Sequence, residues 1–147
     1  MIGLLQRVRE AAVEVGDRRV AAIERGLLVL VAVQREDREA QAERLLERLL
    51  DYRVFPDAQG RMNLSLRQVG GGLLLVPQFT LAADTARGHR ASFTPAAEPA
   101  RARALFEHLV GVARAAWPQT AAGVFGADMQ VRLVNDGPVT FWLEARP

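Results

Sequence analysis

Two short segments hold most of the chemistry that this sequence can offer. Pro77-Gln78-Phe79-Thr80-Leu81 follows the apolar run Leu73-Leu74-Leu75-Val76, so it puts polar atoms at the mouth of a strand. The amide of Gln78 both donates and accepts hydrogen bonds. The N–H groups of Phe79 and Thr80 can stabilise an oxyanion without a charged side chain, and one such donor is typically worth about 3–4 kcal/mol. Thr80 is the one hydroxyl here, a nucleophile or a group that orients water. No base stands beside it in sequence, so a β-branched residue ending a strand is a better account than a nucleophile. The second segment is Asn135-Asp136-Gly137-Pro138-Val139-Thr140. Glycine lacks a Cβ and proline adopts the cis bond at modest cost, so a Gly-Pro step beside a strand can bare main-chain carbonyls. An ordinary hairpin bend also accounts for Gly137-Pro138, but it gives no reason for Asn135 and Asp136.

Other chemistries find little support. There is no cysteine, which excludes disulfides, thiolate metal sites and cysteine nucleophiles, and only His89 and His108 supply imidazole. Two separated histidines make a poor metal site and a poor triad. His108 reads as a helix-surface residue and His89 as part of a polar loop. No cofactor or metal is expected. All 19 basic residues are arginine, and the formal charge is only +2, so any RNA contact must come from local clustering. Arg87, His89 and Arg90 form one such cluster. No apolar run approaches a membrane span, and Gln6, Arg7, Arg9 and Glu10 interrupt the apolar start, so a cytoplasmic protein is expected.

The elements that must position these residues read as one mixed α/β (α+β) domain over 1–147, strand-rich, with two main helices packed on a sheet. Ile2 to Val8 suits an opening strand. Ala11–Val15 and Arg18–Ile23 flank a turn at Gly16-Asp17, and Leu27–Val33 reads as a central strand buried on both faces. Asp37 is placed as the N-cap of a helix reaching about Tyr52. Leu64 and Leu66 suggest a short strand. A second helix starts at Thr94 or Glu98 and runs to about Trp117, where Pro118 stops it. Val124-Phe125, Met129–Val134 and Val139–Leu143 are expected as closing strands.

The ordered set Gln6-Arg7-Val8, Met62-Asn63-Leu64-Ser65-Leu66, Gln78-Phe79-Thr80-Leu81, Ala83-Asp84-Thr85, Ser92-Phe93, Gly123 to Met129 and Asn135 to Thr140 resembles the D-aminoacyl-tRNA deacylase family from Met1 to about Glu144. The resemblance implies a homodimer with active sites at the subunit interface. It implies hydrolysis of the ester joining a D-amino acid, or mischarged glycine, to the terminal adenosine of tRNA. On this resemblance Gly137-Pro138 corresponds to a cis Gly-Pro motif that enters the partner subunit's pocket. Arg7 corresponds to the arginine that holds the motif, and Asn135 sides with the same family. Gln78, Phe79 and Thr80 correspond to the wall facing the scissile ester, and Phe125 and Met129 to residues near the adenine. One departure stands out: the family motif begins with serine, and this chain has Pro77, so a hydroxyl there is not essential. A sister family of looser chirality also carries that proline. A non-catalytic dimeric RNA-binding module is the competing reading. A small-molecule esterase ranks below it, for want of a G-x-S-x-G elbow and a histidine base.

Overall fold

The length of one strand organises the fold. In the computed structural model, which describes residues 1–147, β1 runs unbroken from Ile2 to Val15. Its first half pairs antiparallel with β3 (Gly26–Ala32), and its second half with β2 (Arg18–Ile23). The segments expected as two strands, Ile2–Val8 and Ala11–Val15, are therefore one. Its other edge is lined by the last strand of the chain. The turn between β1 and β2 holds Gly16 at φ 58°.

After β3 the chain forms helix α1 (Glu39–Asp51). A small hairpin follows, β4 (Phe55–Pro56) with β5 (Met62–Leu64), and then a short helix α2 (Leu66–Val69). Strand β6 (Gly72–Pro77) then returns parallel to β3. Helix α3 (Pro99–Ala116) leads to β7 (Thr120–Ala122), which lies parallel to β6. The chain closes with β8 (Gln130–Glu144), antiparallel to β1.

The apolar runs of β3 and β6 are explained by two cores. Leu27, Val29 and Val31 of β3 and Leu73 and Leu75 of β6 face the layer of α1 and α3, meeting Leu45, Leu49, Leu105 and Leu109. The alternate residues Leu28, Leu74 and Val76 face the other way, onto Val8, Ala11, Val13 and Ala21 of β1 and β2. With both faces covered, these strands alternate between two apolar surroundings rather than between core and water.

Four expectations are corrected. Asp37 does not cap α1; its carboxylate is drawn instead to the Met1 ammonium at 2.6 Å, and Arg38 occupies the cap position. Gln41 turns back to accept from the Arg38 N–H at 2.8 Å, so that orphan donor is satisfied from within the helix. Leu64 and Leu66 do not share a strand, because Ser65 caps α2 and exchanges hydrogen bonds with Gln68 in a capping box. Val124-Phe125 lies beyond the sheet, whose added strand is β7, Thr120–Ala122. Finally, Met129–Val134 and Val139–Leu143 are not separate strands but parts of β8.

Candidate active site

The unity of β8 gives Gly137-Pro138 its geometry. Gln6 pairs with Thr140 and Val8 with Asn135, so residues 136–139 all stand opposite Arg7 alone. The chain makes a wide bulge and resumes the same ladder, which a hairpin bend would not do. Asn135 bridges the base of the bulge. Its Oδ1 accepts from the Val139 N–H at 2.7 Å, and its Nδ2 donates to Thr140 Oγ1 at 2.9 Å. Arg7 grips the bulge from β1: Nε donates to the Asp136 carbonyl at 2.9 Å and Nη1 to the Val54 carbonyl at 2.6 Å, just ahead of β4. The Arg7 side chain is only 13% exposed, while Gly137 and Pro138 are exposed. Gly137 has φ 145°, and a Cβ there would come within 2.7 Å of Val139 Cγ2. Only glycine takes this position without strain. The Gly137-Pro138 peptide bond is cis.

The second cluster grows from the end of β6. The Gln78 N–H donates to the Val31 carbonyl at 2.7 Å and extends the ladder with β3 by one step. The chain then makes a 3₁₀ turn, Phe79–Ala82. Ala82 is buried against Ile2, Ala32 and Ala96, with Leu81 beside it. Phe79, 57% exposed, and Thr80 are left facing outward. Gln78 Nε2 donates to Thr80 Oγ1 at 2.6 Å, so the hydroxyl is held by an amide, not by a base. The N–H groups of Phe79 and Thr80, at the start of the turn, make no hydrogen bond within the chain. Phe93 leans on Phe79 with ring centroids 5.2 Å apart, a contact that sequence spacing gave no means of finding.

Pro77 costs the sheet nothing. Leu75 directs its carbonyl toward Gly123, accepting at 2.8 Å, and residue 77 faces the same edge, where β7 has already ended. No ladder bond there needs its missing N–H. A Cβ at position 123 would come within 2.9 Å of Met129 Sδ and would touch the Pro77 ring at 3.4 Å. Met129 thus lies at Gly123, across from the Pro77 ring that precedes Gln78. Phe125 sits farther along, against Phe106 of α3 at 6.4 Å and under the Arg103 guanidinium at 5.1 Å.

The expected site residues therefore fall into two groups: Arg7, Asn135, Gly137 and Pro138 on the bulge, and Gln78, Phe79 and Thr80, with Met129 nearby, at the end of β6. No hydrogen bond made by residues 135–140 reaches residues 78–80. Two clefts of a single chain, of about 430 and 460 Å³, are lined by neither group. They lie near Arg25, Gly71 and Gln119, and near Glu10, Arg19 and Arg132. His108 pairs with Glu43 at 3.1 Å on the surface between α3 and α1, away from both groups. The Arg87–Arg90 loop is exposed and closed at its base by two backbone bonds between Asp84 and Ser92, of 2.7 and 2.9 Å. It emerges next to Phe93. No helix is long and apolar enough to cross a membrane.

The fold is that of a strand-rich α+β protein in which a strand end and a bulge present main-chain groups at the surface. Residues 4–144 match the family model described as D-Tyr-tRNA(Tyr) deacylase, and the chain belongs to that family. A D-aminoacyl-tRNA deacylase of Alkalilimnicola ehrlichii is 67% identical over 147 residues, covering 100% of this chain and 98% of the relative. That of Thioalkalivibrio sulfidiphilus is 67% identical, covering 100% of this chain and 99% of the relative. Among solved structures, one described as c-Myc DNA Unwinding Element Binding Protein superposes with a TM-score of 0.95 at 33% identity, each chain covered in full. A probable eukaryotic D-amino acid tRNA deacylase superposes at 0.87 and 16% identity over 97% of this chain and 98% of its own, a likeness of fold.

Proposed function

We propose that this chain is a hydrolase that cleaves the ester joining a D-amino acid, or glycine, to the terminal adenosine of tRNA, and that it works as a homodimer with the site between the subunits. Family membership and the deacylases 67% identical to it support the reaction class. The observation that carries the finer reading is the bulge opposite Arg7, which holds Gly137 and Pro138 out from the sheet while both of its ends are tied.

On this reading Gly137-Pro138 of one subunit meets the Gln78–Thr80 wall of the other. The absence of hydrogen bonds between the two groups within one chain supports such a division, as do the exposed rings of Phe79, Phe93, Phe141 and Trp142. Main-chain oxygens of the motif capture the substrate's α-amino group and fix the direction of its Cα substituents. An L side chain then points into backbone, a D side chain points to open space, and glycine has none to reject. Selection comes from exclusion, so many D-amino acids are accepted.

For the chemical step, water adds to the ester carbonyl carbon, and the ribose oxygen leaves with a proton. The products are the free amino acid and tRNA with its hydroxyl restored. The unpaired N–H groups of Phe79 and Thr80 are suited to the oxyanion. A vicinal ribose hydroxyl helps to activate the water, which suits a wall whose one hydroxyl, Thr80, is tied to Gln78. Pro77, Met129 and Phe125 border the adenine. Arg87 and Arg90 contact the RNA backbone from the loop beside Phe93. The decisive test is hydrolysis of matched D- and L-tyrosyl-tRNA: rapid cleavage of the D-ester alone is expected, and comparable rates on both would remove the stereochemical role of the bulge.

A further inference from the structure

We infer, resting on the deacylase reading for the reaction, that the Phe93 ring is a stacking platform for the nucleotide preceding the terminal adenosine, and that the loop leading into it holds the adjoining phosphates. The packing of the chain gives this ring no other task. Phe93 is 45% exposed, belongs to none of the buried clusters, and leans on a second exposed ring, Phe79, at 5.2 Å. Its backbone is fixed nonetheless. Ser92 exchanges two hydrogen bonds with Asp84, the Phe93 carbonyl accepts from the Ala96 N–H at 3.0 Å, and the Pro95 carbonyl accepts from the Arg35 N–H at 3.0 Å. An exposed ring on a stiff support meets a partner with little ordering left to do.

The surroundings of the ring decide what that partner is. Arg87 and Arg90 are exposed and enter none of the ion pairs of the molecule. Asp84 is the one carboxylate of residues 84–92, and it is turned onto the Ala86 N–H at 2.9 Å. On either side of the ring, Ser92 and Thr94 present hydroxyls 3.1 Å apart. An aromatic face, free guanidinium groups and hydroxyls are together the means by which an unpaired nucleotide is held: ring to base, cation to phosphate, hydroxyl to phosphate or ribose. An apolar protein surface would leave both arginines unanswered.

Position agrees with chemistry. The other exposed rings, Phe141 and Trp142, continue β8 from the bulge, with Phe141 against Tyr52 at 5.8 Å, and so suit the subunit contact. Phe79 turns its N–H to the ester and its ring to Phe93, which puts the platform one ring away from the residue that faces the reacting carbon. With adenine bordered by Pro77 and Met129, the strand that carries it leaves past Phe93 and the arginine loop. Recognition then extends beyond the terminal nucleoside.

The test compares kcat/KM of the full chain on D-tyrosyl esters of adenosine, of the dinucleotide cytidylyl-adenosine and of tRNA. The native protein is expected to prefer the dinucleotide ester to the adenosine ester by about tenfold or more. Phe93→Leu, which keeps apolar bulk beside Phe79 but has no ring, should erase that ratio, and Phe93→Tyr should keep it. Taking the ratio cancels any disturbance passed on to the Phe79 wall. Arg87→Gln with Arg90→Gln should flatten the fall of log kcat/KM on tRNA with log salt by a slope of about 1. A readout free of the reaction comes from Phe93→Trp. Its fluorescence, less that of the native Trp117 and Trp142, should be quenched by cytidylyl-adenosine at concentrations where adenosine leaves it unchanged. Quenching in a protein that cleaves no D-ester would sink the deacylase reading and support the platform. A native ratio near 1, a Phe93→Leu protein that keeps the native ratio, or a tryptophan that the dinucleotide does not quench would each overturn the inference.

Discussion

Replacing Arg7 with alanine tests whether the bulge is held from β1. Its guanidinium forks between two backbone carbonyls, Asp136 O at 2.9 Å and Val54 O at 2.6 Å, and joins strands far apart in sequence. A hydrogen bond from a charged donor contributes about 1.5–3 kcal/mol. Both carbonyls are partly buried, and water can reach a vacated site in part, so the loss should fall near 2–4 kcal/mol, below the sum of two full bonds. For a chain of this size that corresponds to a melting temperature lower by about 6–12 °C. Activity should suffer more than stability implies. With Arg7 gone, residues 136–139 keep the Asn135 bridge, the buried Val139 side chain and a long contact between Arg9 and the Asp136 carboxylate, but no hydrogen bond to the Asp136 carbonyl, and a displacement on the order of 1 Å at a positioning group can cost about 100-fold in rate. The assay is release of tyrosine from D-tyrosyl-tRNA at a temperature well below the melting point of the variant, with kcat and KM separated. Arg7→Lys, a single point charge that cannot fork, should recover less than half of the lost stability. Full activity in a folded Arg7→Ala protein would refute the claim that Arg7 aims the bulge, even if the melting temperature falls as computed.

Further expectations are simpler. Thr80→Ala should retain activity within about tenfold, because Gln78 and not a base holds its hydroxyl; loss of all turnover in a folded dimer would make Thr80 obligatory. Gly137→Ala should destabilise by about 1–3 kcal/mol, from a Cβ at positive φ pressed on Val139, as read by thermal or urea melts. Pro77→Ser should leave the preference for D- over L-tyrosyl-tRNA unchanged, since Pro77 lies at a strand edge with no ladder bond to restore; a changed ratio of rates would show otherwise. The Glu39 carboxyl is held below its ordinary value, chiefly by a backbone hydrogen bond at the start of α1; loss of water contact opposes this, and Arg101 and His108 add to the lowering. Its stabilising contribution is complete above the unfolded carboxylate pKa and is lost as pH falls through the lower folded value. NMR titration should find that folded value rising in Arg101→Ala.

Much of this architecture was legible from residue order. The apolar runs of β3 and β6 and the stripe of α3 announce themselves because burial demands a period and a length. The capping box of α2 was equally readable, Ser65 and Gln68 standing three apart, and it was missed because Leu64 and Leu66 alternate like a strand. Asp37 has the side chain of a helix cap, yet a cation brought from 36 positions away outbids the helix for it. Local propensity has no access to such a partner. The continuity of β8 was hidden for a related reason. Asn135, Asp136, Gly137 and Pro138 are all turn-formers, and only pairing with β1 on both sides makes them a bulge. The candidate site residues are proposed from type and order, whereas their division into two groups depends on contacts such as Arg7 with Val54 and Phe79 with Phe93.

A loop laced to one continuous strand at both of its ends has no hinge. On the proposed function it is a stencil and not a jaw: the incoming molecule would conform to an opening tied at both ends. Discrimination of that kind depends little on solvent viscosity or on any closing step. Its weak point is alignment, because Arg7 is the one residue of β1 opposite the bulge, and deleting it would both shift the ladder and release the Asp136 carbonyl.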